Sequence, residues 1–446
     1  MKATRAERRA AGKALREQVP REQHGEWKAP RGRSDAVDLV IESSKGRLAD
    51  LVPIRYGRMA VSPFTFYRGA ALNMAADLAH TPATGIRTQV CGDCHLLNFG
   101  GFATPERRIV FDINDFDETL PGPWEWDVKR LATSFVHAAR SNGFSERKQH
   151  EAALACVRSY RERMAEYAGQ RALDVWYASI DEDAFLGSFS DRKAVARERK
   201  QITRQNTHIA TEYHYPKMTA VKGRYVLQDN PPLISHDAGL TVRNVRGAFE
   251  SYRESLPDVR RFLLDRHHPE DVAFRVVGVG SVGTYCAVML MMSEDNDDPW
   301  FVQIKEARAS VLAPFAGKSA YASHGQRVVT GQRLMQSASD IFLGWARGPG
   351  GKHFYLRQLR DMKLKPPVED FDPTTLIEYA TVCGWTVARA HARSGDAAMI
   401  SGYLGKSDVF DHAIARFSRI DADQVERDYA TFLAAIRSGR IEAQAH

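Results

Sequence analysis

The sequence has no long apolar run, and nothing within its 446 residues approaches the roughly 18–20 apolar residues that span a bilayer. Its basic first residues also lack the apolar segment of a secretory signal. Cysteine is scarce, and the five thiols are scattered along the chain, at Cys91, Cys94, Cys156, Cys286 and Cys383. These absences argue against a membrane span and a disulfide scaffold, and they predict free thiols in a cytoplasmic protein.

The positive charge is concentrated in one segment. The formal net charge is +7, and residues 1–34 alone hold ten Lys or Arg and four Glu, which leaves the rest of the chain near neutral. We predict that residues 1–34 form a basic, partly disordered arm. Such an arm could bind nucleic acid, but it nearly lacks the interleaved aromatic residues that stack on bases. A solvated tail is therefore the favoured interpretation.

Hydrophobic periodicity divides the rest of the chain into three further parts. Residues 35–265 predict a helical lobe, in which two helices flank an aromatic turn at 62–69. Residues 266–365 alternate strands with polar turns and predict a small antiparallel sheet lobe. Residues 366–446 predict helices that return to the helical lobe, and the clearest of them covers 375–394. The predicted fold class is α+β.

A first group of polar residues lies on a loop and in the acidic segment after the next strand. Asp93 is followed five residues later by Asn98, and Asp115 comes at the end of a strand-like run. Phosphoryl transfer from ATP requires a carboxylate that accepts the proton of the attacking hydroxyl, and oxygen ligands that hold Mg²⁺. We predict Asp93 as the base and Asn98 and Asp115 as the metal ligands. We expect roles in support of these ligands for His95, Asp112 and Asp117.

A second group of residues forms a glycine-rich turn followed by a lysine. Gly278, Gly280 and Gly283 match Gly-x-Gly-x-x-Gly, with Ser281 inside the motif and Lys305 on a later strand. A dinucleotide-binding turn would open a helix, whereas a strand-like segment follows here. Glycines let backbone N–H groups approach phosphates closely. We therefore predict that this turn and Lys305 bind a nucleotide.

The residues of the loop and of the acidic segment could also bind haem, zinc or Ca²⁺, but the sequence favours these sites less. Residues 91–95 match the Cys-x-x-Cys-His attachment string of c-type haem, but haem attachment needs an export setting that nothing here indicates. Zinc would require a second pair of ligands at suitable spacing. A Ca²⁺ loop at 112–118 would require Gly at its sixth position and Glu at its twelfth, and the sequence has neither.

The spacing of these residues resembles that of the kinase-like phosphotransferases, especially the aminoglycoside and choline kinase branch. That branch has Gly-Asp, an Asn five residues later, an Ile-Asp-Phe strand end and, twelve residues on, an Asp that opens a helix. Asp93, Asn98, Asp115 and Asp127 match these positions. The resemblance implies a two-lobe fold that binds ATP and Mg²⁺, in which Asp127 braces the loop. It also implies that Lys305 faces Asp115 across a gap the size of a phosphate group.

The two groups occur in the reverse of the usual order, because ordinary kinases place the glycine-rich lobe first. The resemblance therefore implies a circularly permuted protein kinase-like fold, cut after the helix at 375–394. Two departures stand out. Cys91 replaces the His that usually precedes Gly-Asp, and no obvious helical Glu is present to pair with Lys305. Gln326, Gln332 and Glu306 are poor substitutes for that Glu.

Segments along most of the chain, including GDCHLLNFGG, FDINDFDE and GVGSVGT, are similar to a widespread bacterial family known only as a domain of unknown function, number 2252. The leading expectation is transfer of the γ-phosphoryl group of ATP to a hydroxyl of a small-molecule or protein acceptor. Nucleotidyl transfer on the same scaffold and a nucleotide-binding regulatory pseudokinase are the alternatives. We do not expect the protein to associate with a membrane.

Overall fold

The computed structural model describes residues 3–192, 195–196, 199, 218–221, 224–231, 234–236, 241–275, 278–295, 298–359 and 366–444. The helices are, in chain order, α1 (Arg5–Ala14), α2 (Ala36–Ser44), α3 (Val52–Met59), α4 (Pro63–Gly69), α5 (Ala71–Leu78), α6 (Trp124–Ser141), α7 (Glu146–Gly169), α8 (Ala172–Tyr177), α9 (Glu182–Gly187), α10 (Val242–Ser255), α11 (Asp258–Leu264), α12 (Ala313–Ala316), α13 (His324–Met335), α14 (Pro373–Ser394), α15 (Ala397–Leu404) and α16 (Val409–Arg437). The strands are β1 (Arg87–Val90), β2 (Phe99–Ala103), β3 (Ile109–Ile113), β4 (Leu120–Pro123), β5 (Ile180–Asp181), β6 (Met218–Val221), β7 (Arg224–Leu227), β8 (Ile234–Ser235), β9 (His267–Arg275), β10 (Cys286–Ser293), β11 (Trp300–Ala307), β12 (Gly344–Arg347) and β13 (His353–Gln358).

The N-terminal residues pack against helices from the end of the chain. α1 begins with a capping box, in which Thr4 and Glu7 exchange hydrogen bonds, and it lies against α15. Arg16 donates to the carbonyls of two residues at the end of α15, and Arg21 donates to a third. Cations are favourable at a helix C-terminus, where carbonyls lack partners within the helix. The expectation of a partly disordered arm therefore does not hold for these residues.

Helices α6, α7, α14 and α16 form the main helical body. α14 packs along α7 and α6, and α16 contacts the same two helices. The largest apolar cluster lies between them and includes Trp124, Tyr160, Tyr379 and Phe410, all of them fully buried. Trp124 stacks on Tyr160 with ring centroids 5.6 Å apart. The C-terminal helices thus complete the core of the helical lobe.

Residues 62–69, which we expected to form an aromatic turn, form helix α4 instead. Ser62 caps the helix by accepting the N–H of Thr65, and Pro63 occupies the first helical position. Proline is favoured at this position because its missing N–H would have no partner there. The Ser-Pro pair was therefore a start signal for a helix that the sequence analysis did not use.

Six strands, in the order β12-β13-β11-β10-β9-β8, form one antiparallel sheet. Helices α10 and α11 cover one face of this sheet, where Tyr252 and Leu256 pack with Met289 and Leu356. The boundary predicted after residue 265 is therefore too late. α10 and α11 belong with the sheet because their apolar sides are buried against its strands.

Two small pairings place the polar loops of the helical lobe side by side. β1 pairs with β4, with Val90 opposite Leu120, so that the loop after β1 lies beside the end of the acidic segment before β4. β2 pairs with β3, and the N–H of Asn114 continues this pairing by donating to the carbonyl of Asn98 at 2.7 Å. The loop before β2 and the acidic loop after β3 are therefore neighbours.

Helix α14 ends beside the strand that leads into the first of these loops. The hydroxyl of Ser394 lies 3.4 Å from the carbonyl oxygen of Gln89 in β1. A Cβ on Gly395 would meet the side chain of Thr88 at 2.3 Å. The helix predicted at 375–394 is thus present, and it meets the 88–98 region as expected. Within the described residues, no helix has both the length and the apolar character needed to cross a bilayer.

Candidate functional site

A cleft of about 680 Å³ lies between the sheet and the helical lobe. Two groups of predicted site residues that are distant in sequence line this one space. The first comes from the loops of the helical lobe and the second from the sheet. The predicted residues in its wall are Asp93, His95, Asn98, Asp115, Gly278, Gly280, Ser281 and Lys305.

Asp127, near the start of α6, holds the loop that carries Asp93. Its Oδ2 accepts the N–H of Cys91 at 2.8 Å, and its Oδ1 accepts the N–H of Gly92 at 3.0 Å. Nε2 of His391 in α14 lies 3.2 Å from the same carboxylate. Gly92 has a φ of +84°, a left-handed conformation that favours glycine. These bonds fit the bracing role expected for Asp127.

Asp93 is held by an arginine that the sequence analysis did not identify. Nε of Arg130 donates to Oδ1 of Asp93 at 2.8 Å, and Nη2 donates to the same oxygen. Burial alone would lower the pKa of Arg130, but the charge of Asp93 outweighs it and the pKa is raised. Oδ2 of Asp93 lies 3.9 Å from Nε2 of His95. The Asp93 side chain is 21% exposed, so a ligand in the cleft can reach it.

Asn98 and Asp115 present oxygen atoms to the cleft. Nδ2 of Asn98 donates to the carbonyl of Asp93 at 2.7 Å, which leaves its Oδ1 as the atom that can bind a cation. Oδ1 of Asp115 accepts the N–H of Asp117 at 3.1 Å. Burial and the charge of Asp117 raise the pKa of Asp115. A cation bound beside Asp115 would oppose both effects.

Lys305 of β11 is paired with Asp117, and Asp115, which we expected Lys305 to face, lines the same cleft and acts on its charge. Its Nζ donates to Oδ2 of Asp117 at 2.7 Å, and the hydroxyl of Tyr355 donates to Oδ1 at 2.6 Å. Burial alone would lower the pKa of Lys305, but Asp117, Tyr355 and Asp115 outweigh it and the pKa is raised well above its usual value. Asp117, for which a supporting role was expected, thus takes the place of the helical Glu as the acidic partner of Lys305.

The glycine-rich turn borders the cleft with its first half only. Gly278, Gly280 and Ser281 line the cleft, and a Cβ on either glycine would meet nothing within 4 Å. Gly283 does not line it. Its φ is +83°, and a Cβ there would lie 3.0 Å from Cβ of Arg47. The predicted nucleotide contact is therefore corrected for Gly283, which anchors the turn to the segment before α3.

His95 and Asp112 have different surroundings, although both were expected to support the metal ligands. His95 lines the cleft, and burial lowers its pKa to about 3, so it is neutral at physiological pH. Asp112 does not line the cleft. It is fully buried and accepts bonds from Arg389 at 2.5 Å and from the N–H and hydroxyl of Ser337 at 2.8 Å. Asp112 therefore holds the core behind the site, which corrects its predicted role.

Two side chains of the sheet complete the wall near Asp115. Arg357 lies opposite Gln303 in the pairing of β13 with β11 and donates to its Oε1 at 3.0 Å. Arg357 also donates to the carbonyl of Asn114 at 3.3 Å. Strand alternation in the sequence places Tyr355 and Arg357 on one face of β13. It could not show that this face is the one opposite Lys305.

Helix α13 joins the sheet to the acidic loop. Arg327 is buried and donates to the carbonyl of Asp117 at 2.8 Å and to that of Thr119. Gln336, which follows α13, donates to the carbonyl of Ile113 at 2.6 Å. Bonds from α13 and from the residue that follows it therefore fix the acidic loop at both ends. No motif in the sequence indicated the role of Arg327.

Cys91, Cys94 and Asp127 are the one cluster of potential metal donors found in the part of the chain that the structure describes, with donor atoms within 4.8 Å of one another. Asp127 is already engaged by two backbone N–H groups. Burial raises the pKa of both thiols, to about 12 for Cys94. These groups therefore behave as protonated core thiols behind the loop rather than as thiolate ligands.

The donor set of the cleft fits a magnesium-bound polyphosphate. Hard oxygen atoms of Asn98 and Asp115 are the type that Mg²⁺ prefers. Lys305 and the open glycine turn lie in the same wall and can contact phosphate oxygens. The cleft volume also lies within the roughly 300–1,000 Å³ that is common for small-molecule sites.

Comparison with known proteins gives a family assignment. No curated protein and no solved structure matches the chain. A family model matches residues 47–435, which include every predicted site residue. The chain therefore belongs to the family described as an uncharacterized protein conserved in bacteria, DUF2252.

Proposed function

We propose that this chain is an ATP- and Mg²⁺-dependent phosphotransferase that acts on a hydroxyl acceptor. One observation carries the proposal: Asp93, Asn98 and Asp115 border the same cleft as Gly278 and Lys305, although the two groups are far apart in sequence. A carboxylate, two oxygen ligands, an open glycine turn and a lysine are the parts that phosphoryl transfer requires.

Each residue has a defined task in the proposed reaction. The acceptor oxygen forms a bond to the γ-phosphorus, the bond from that phosphorus to the β-phosphate oxygen breaks, and the hydroxyl proton passes to Oδ2 of Asp93. Arg130 holds the other oxygen of Asp93, so the carboxylate is oriented before the acceptor binds. Asn98 and Asp115 would hold Mg²⁺, which supplies charge neutralisation at the phosphates. Lys305 would bind phosphate oxygens.

The pairing of Lys305 favours catalysis over a regulatory pseudokinase. The doubt about activity rested on the absence of a helical Glu, and Asp117 supplies a carboxylate at 2.7 Å in its place. We further propose that the fold is a circularly permuted kinase-like fold, because the end of α14 lies beside β1. All five cysteines are free thiols, which supports our proposal of a reducing, cytoplasmic location.

The test is ATP turnover by the purified protein with Mg²⁺ and pooled metabolites or proteins as acceptors. We expect the product to gain the mass of a phosphoryl group, whereas a nucleotidyl product would support the alternative reaction.

Asp93→Asn should lower turnover about 10²–10⁴-fold, the usual contribution of a positioned base, with nucleotide affinity unchanged. Asp174→Asn, at an exposed pair outside the cleft, is the control. Full activity of Asp93→Asn would remove Asp93 from the reaction.

A further inference from the structure

An arginine outside both predicted groups also lines the cleft. Arg68 occupies the last turn of α4 and lines the cleft together with Asp93 and Ser281. α4 lies against the turn Val279–Ser281, and the charge of Asp93 acts on Arg68. Arg68 is therefore located between the glycine turn and the proposed base, where the group under transfer would lie.

Arg68 has little protein contact to balance its charge. Its Nε is buried and has no hydrogen-bond partner among the described residues. Asp93 takes its guanidinium bonds from Arg130, not from Arg68. Burial lowers the pKa of Arg68, and Asp93 offsets only part of this effect. A partly buried cation without a bonded anion is unfavourable, so a ligand anion that pairs with it would be favoured.

The residues on both sides of Arg68 are fixed, which holds its backbone in place. The hydroxyl of Tyr67 donates to the carbonyl of Arg130 at 2.7 Å, and Arg55 donates to the carbonyl of Gly69 at 2.7 Å. A Cβ on Gly69 would lie 2.6 Å from the side chain of Met59, so Met59 packs closely on this glycine. A donor on such a rigid support loses little entropy when it binds a ligand.

The other cations of this wall are already engaged. Lys305 is paired with Asp117, and Arg357 donates to Gln303. Arg68 differs from them because its side chain lines the cleft while its Nε, buried within the protein, has no hydrogen-bond partner among the described residues. The anion that completes the site should therefore bind at Arg68.

We propose that Arg68 binds the phosphoryl group under transfer and stabilises its charge as the bond to the β-phosphate breaks. This inference rests on the proposed function. An arginine contributed by the N-terminal helices would then contact oxygens of the γ-phosphoryl group, while the glycine turn and Lys305 hold the rest of the nucleotide. The same guanidinium chemistry would also accept a phosphate carried by the acceptor, and the test separates the two sources.

The test compares Arg68→Ala and Arg68→Lys with the wild type in titrations with MgADP, the magnesium complex of a non-hydrolysable ATP analogue, and inorganic phosphate in the presence of MgADP. We expect Arg68→Ala to bind MgADP within twofold of wild type and the ATP analogue on the order of 10-fold more weakly, which corresponds to about 1.4 kcal/mol, because a charge-assisted bond to the γ-phosphoryl group is lost. ATP turnover should fall about 10²–10³-fold, with partial recovery in Arg68→Lys. Arg147→Ala, at an exposed pair, is the control.

Three results would overturn the inference. Equal loss of MgADP and analogue affinity would place Arg68 on the common part of the nucleotide, and unchanged affinity and turnover would leave it without a role. Loss of phosphate binding with analogue affinity unchanged would place the anion on the acceptor. If the wild type binds no nucleotide, the proposed function fails by itself. If the wild type still binds phosphate and Arg68→Ala abolishes this binding, an anion site at Arg68 stands. If the wild type binds no phosphate, the anion site at Arg68 is overturned as well. Arg68→Gln serves if the alanine variant does not fold.

Discussion

Two acidic residues that are only two positions apart have opposite electrostatic surroundings. Asp117 has both oxygens engaged, by Lys305 and by Tyr355, and these groups outweigh burial and lower its pKa. Burial and the charge of Asp117 raise the pKa of Asp115. Pairs of titratable groups with divergent pKa values are typical of functional sites. A cation bound beside Asp115 would therefore stabilise its ionised form.

At the scale of this residue, we expect nucleotide binding to require Mg²⁺ or Mn²⁺, and Asp115→Ala to abolish that dependence. The reason is that Asp115 and Asn98 offer hard oxygen ligands in one cleft. Calorimetric titration of nucleotide with and without the metal ion measures the effect, with Asp174→Ala as an exposed control. Tightly bound zinc or haem in the purified protein would contradict this assignment.

At the scale of elements, one buried ion pair joins strand β3 to helix α14. Arg389 donates to Asp112 at 2.5 Å, and neither side chain has any exposed surface. Ser337 lies two residues after the end of α13 and donates to the same carboxylate. The carboxylate of Asp112 thus connects helix α14 to strand β3, which leads into the acidic loop.

Removal of either partner should destabilise the protein. Asp112→Asn or Arg389→Met alone is expected to cost about 3–5 kcal/mol of unfolding free energy, because the other charge stays buried without compensation. The double variant should cost less than the sum of the two single variants. Urea unfolding measures these differences. Glu151→Gln, in an exposed pair with Arg147, should change stability by less than about 1 kcal/mol. Single variants as mild as this control would show that the pair does not join the elements.

At the scale of the whole molecule, folding buries histidines from separate parts of the chain. Burial lowers the pKa of His95 and of His137 to about 3, and it lowers the pKa of His24 as well. The charges of Arg140 and Arg130 act on His137 in the same direction. The folded protein therefore keeps these groups neutral where the unfolded chain would bind protons.

The sign of the resulting pH effect follows from linkage. A histidine whose folded pKa is depressed contributes its full stability above the unfolded pKa of about 6.5, and this is lost as the pH falls towards 3. For His95 and His137 this loss should reach about 2 kcal/mol each at pH 5. His137→Phe should therefore reduce the loss of unfolding free energy between pH 7 and pH 5 by about that amount. Denaturant unfolding at several pH values measures it, with exposed His412→Phe as the control. An unchanged pH slope would exclude His137 as a source of acid sensitivity.

The sequence by itself determined the features that depend on neighbouring residues. The helix at 375–394, the strand that carries Lys305, and the loop from Asp93 to Asn98 all follow from local periodicity and spacing. These patterns persist in the fold because hydrogen bonding within a helix and side-chain alternation along a strand are set by the chain nearby. The Ser-Pro start of α4 belongs to the same class of local signals.

Only the tertiary structure decided which residues become partners. Asp117 is the carboxylate that bonds Lys305, and Gly283 turns away from the cleft towards Arg47. Likewise, the basic N-terminal residues lie on the carbonyl end of α15 instead of in solvent. Each outcome depends on the register and approach of segments that are distant along the chain, and no local spacing encodes these. The physical reason is that a buried charge takes whichever opposite charge the packing of the whole core brings within hydrogen-bond distance.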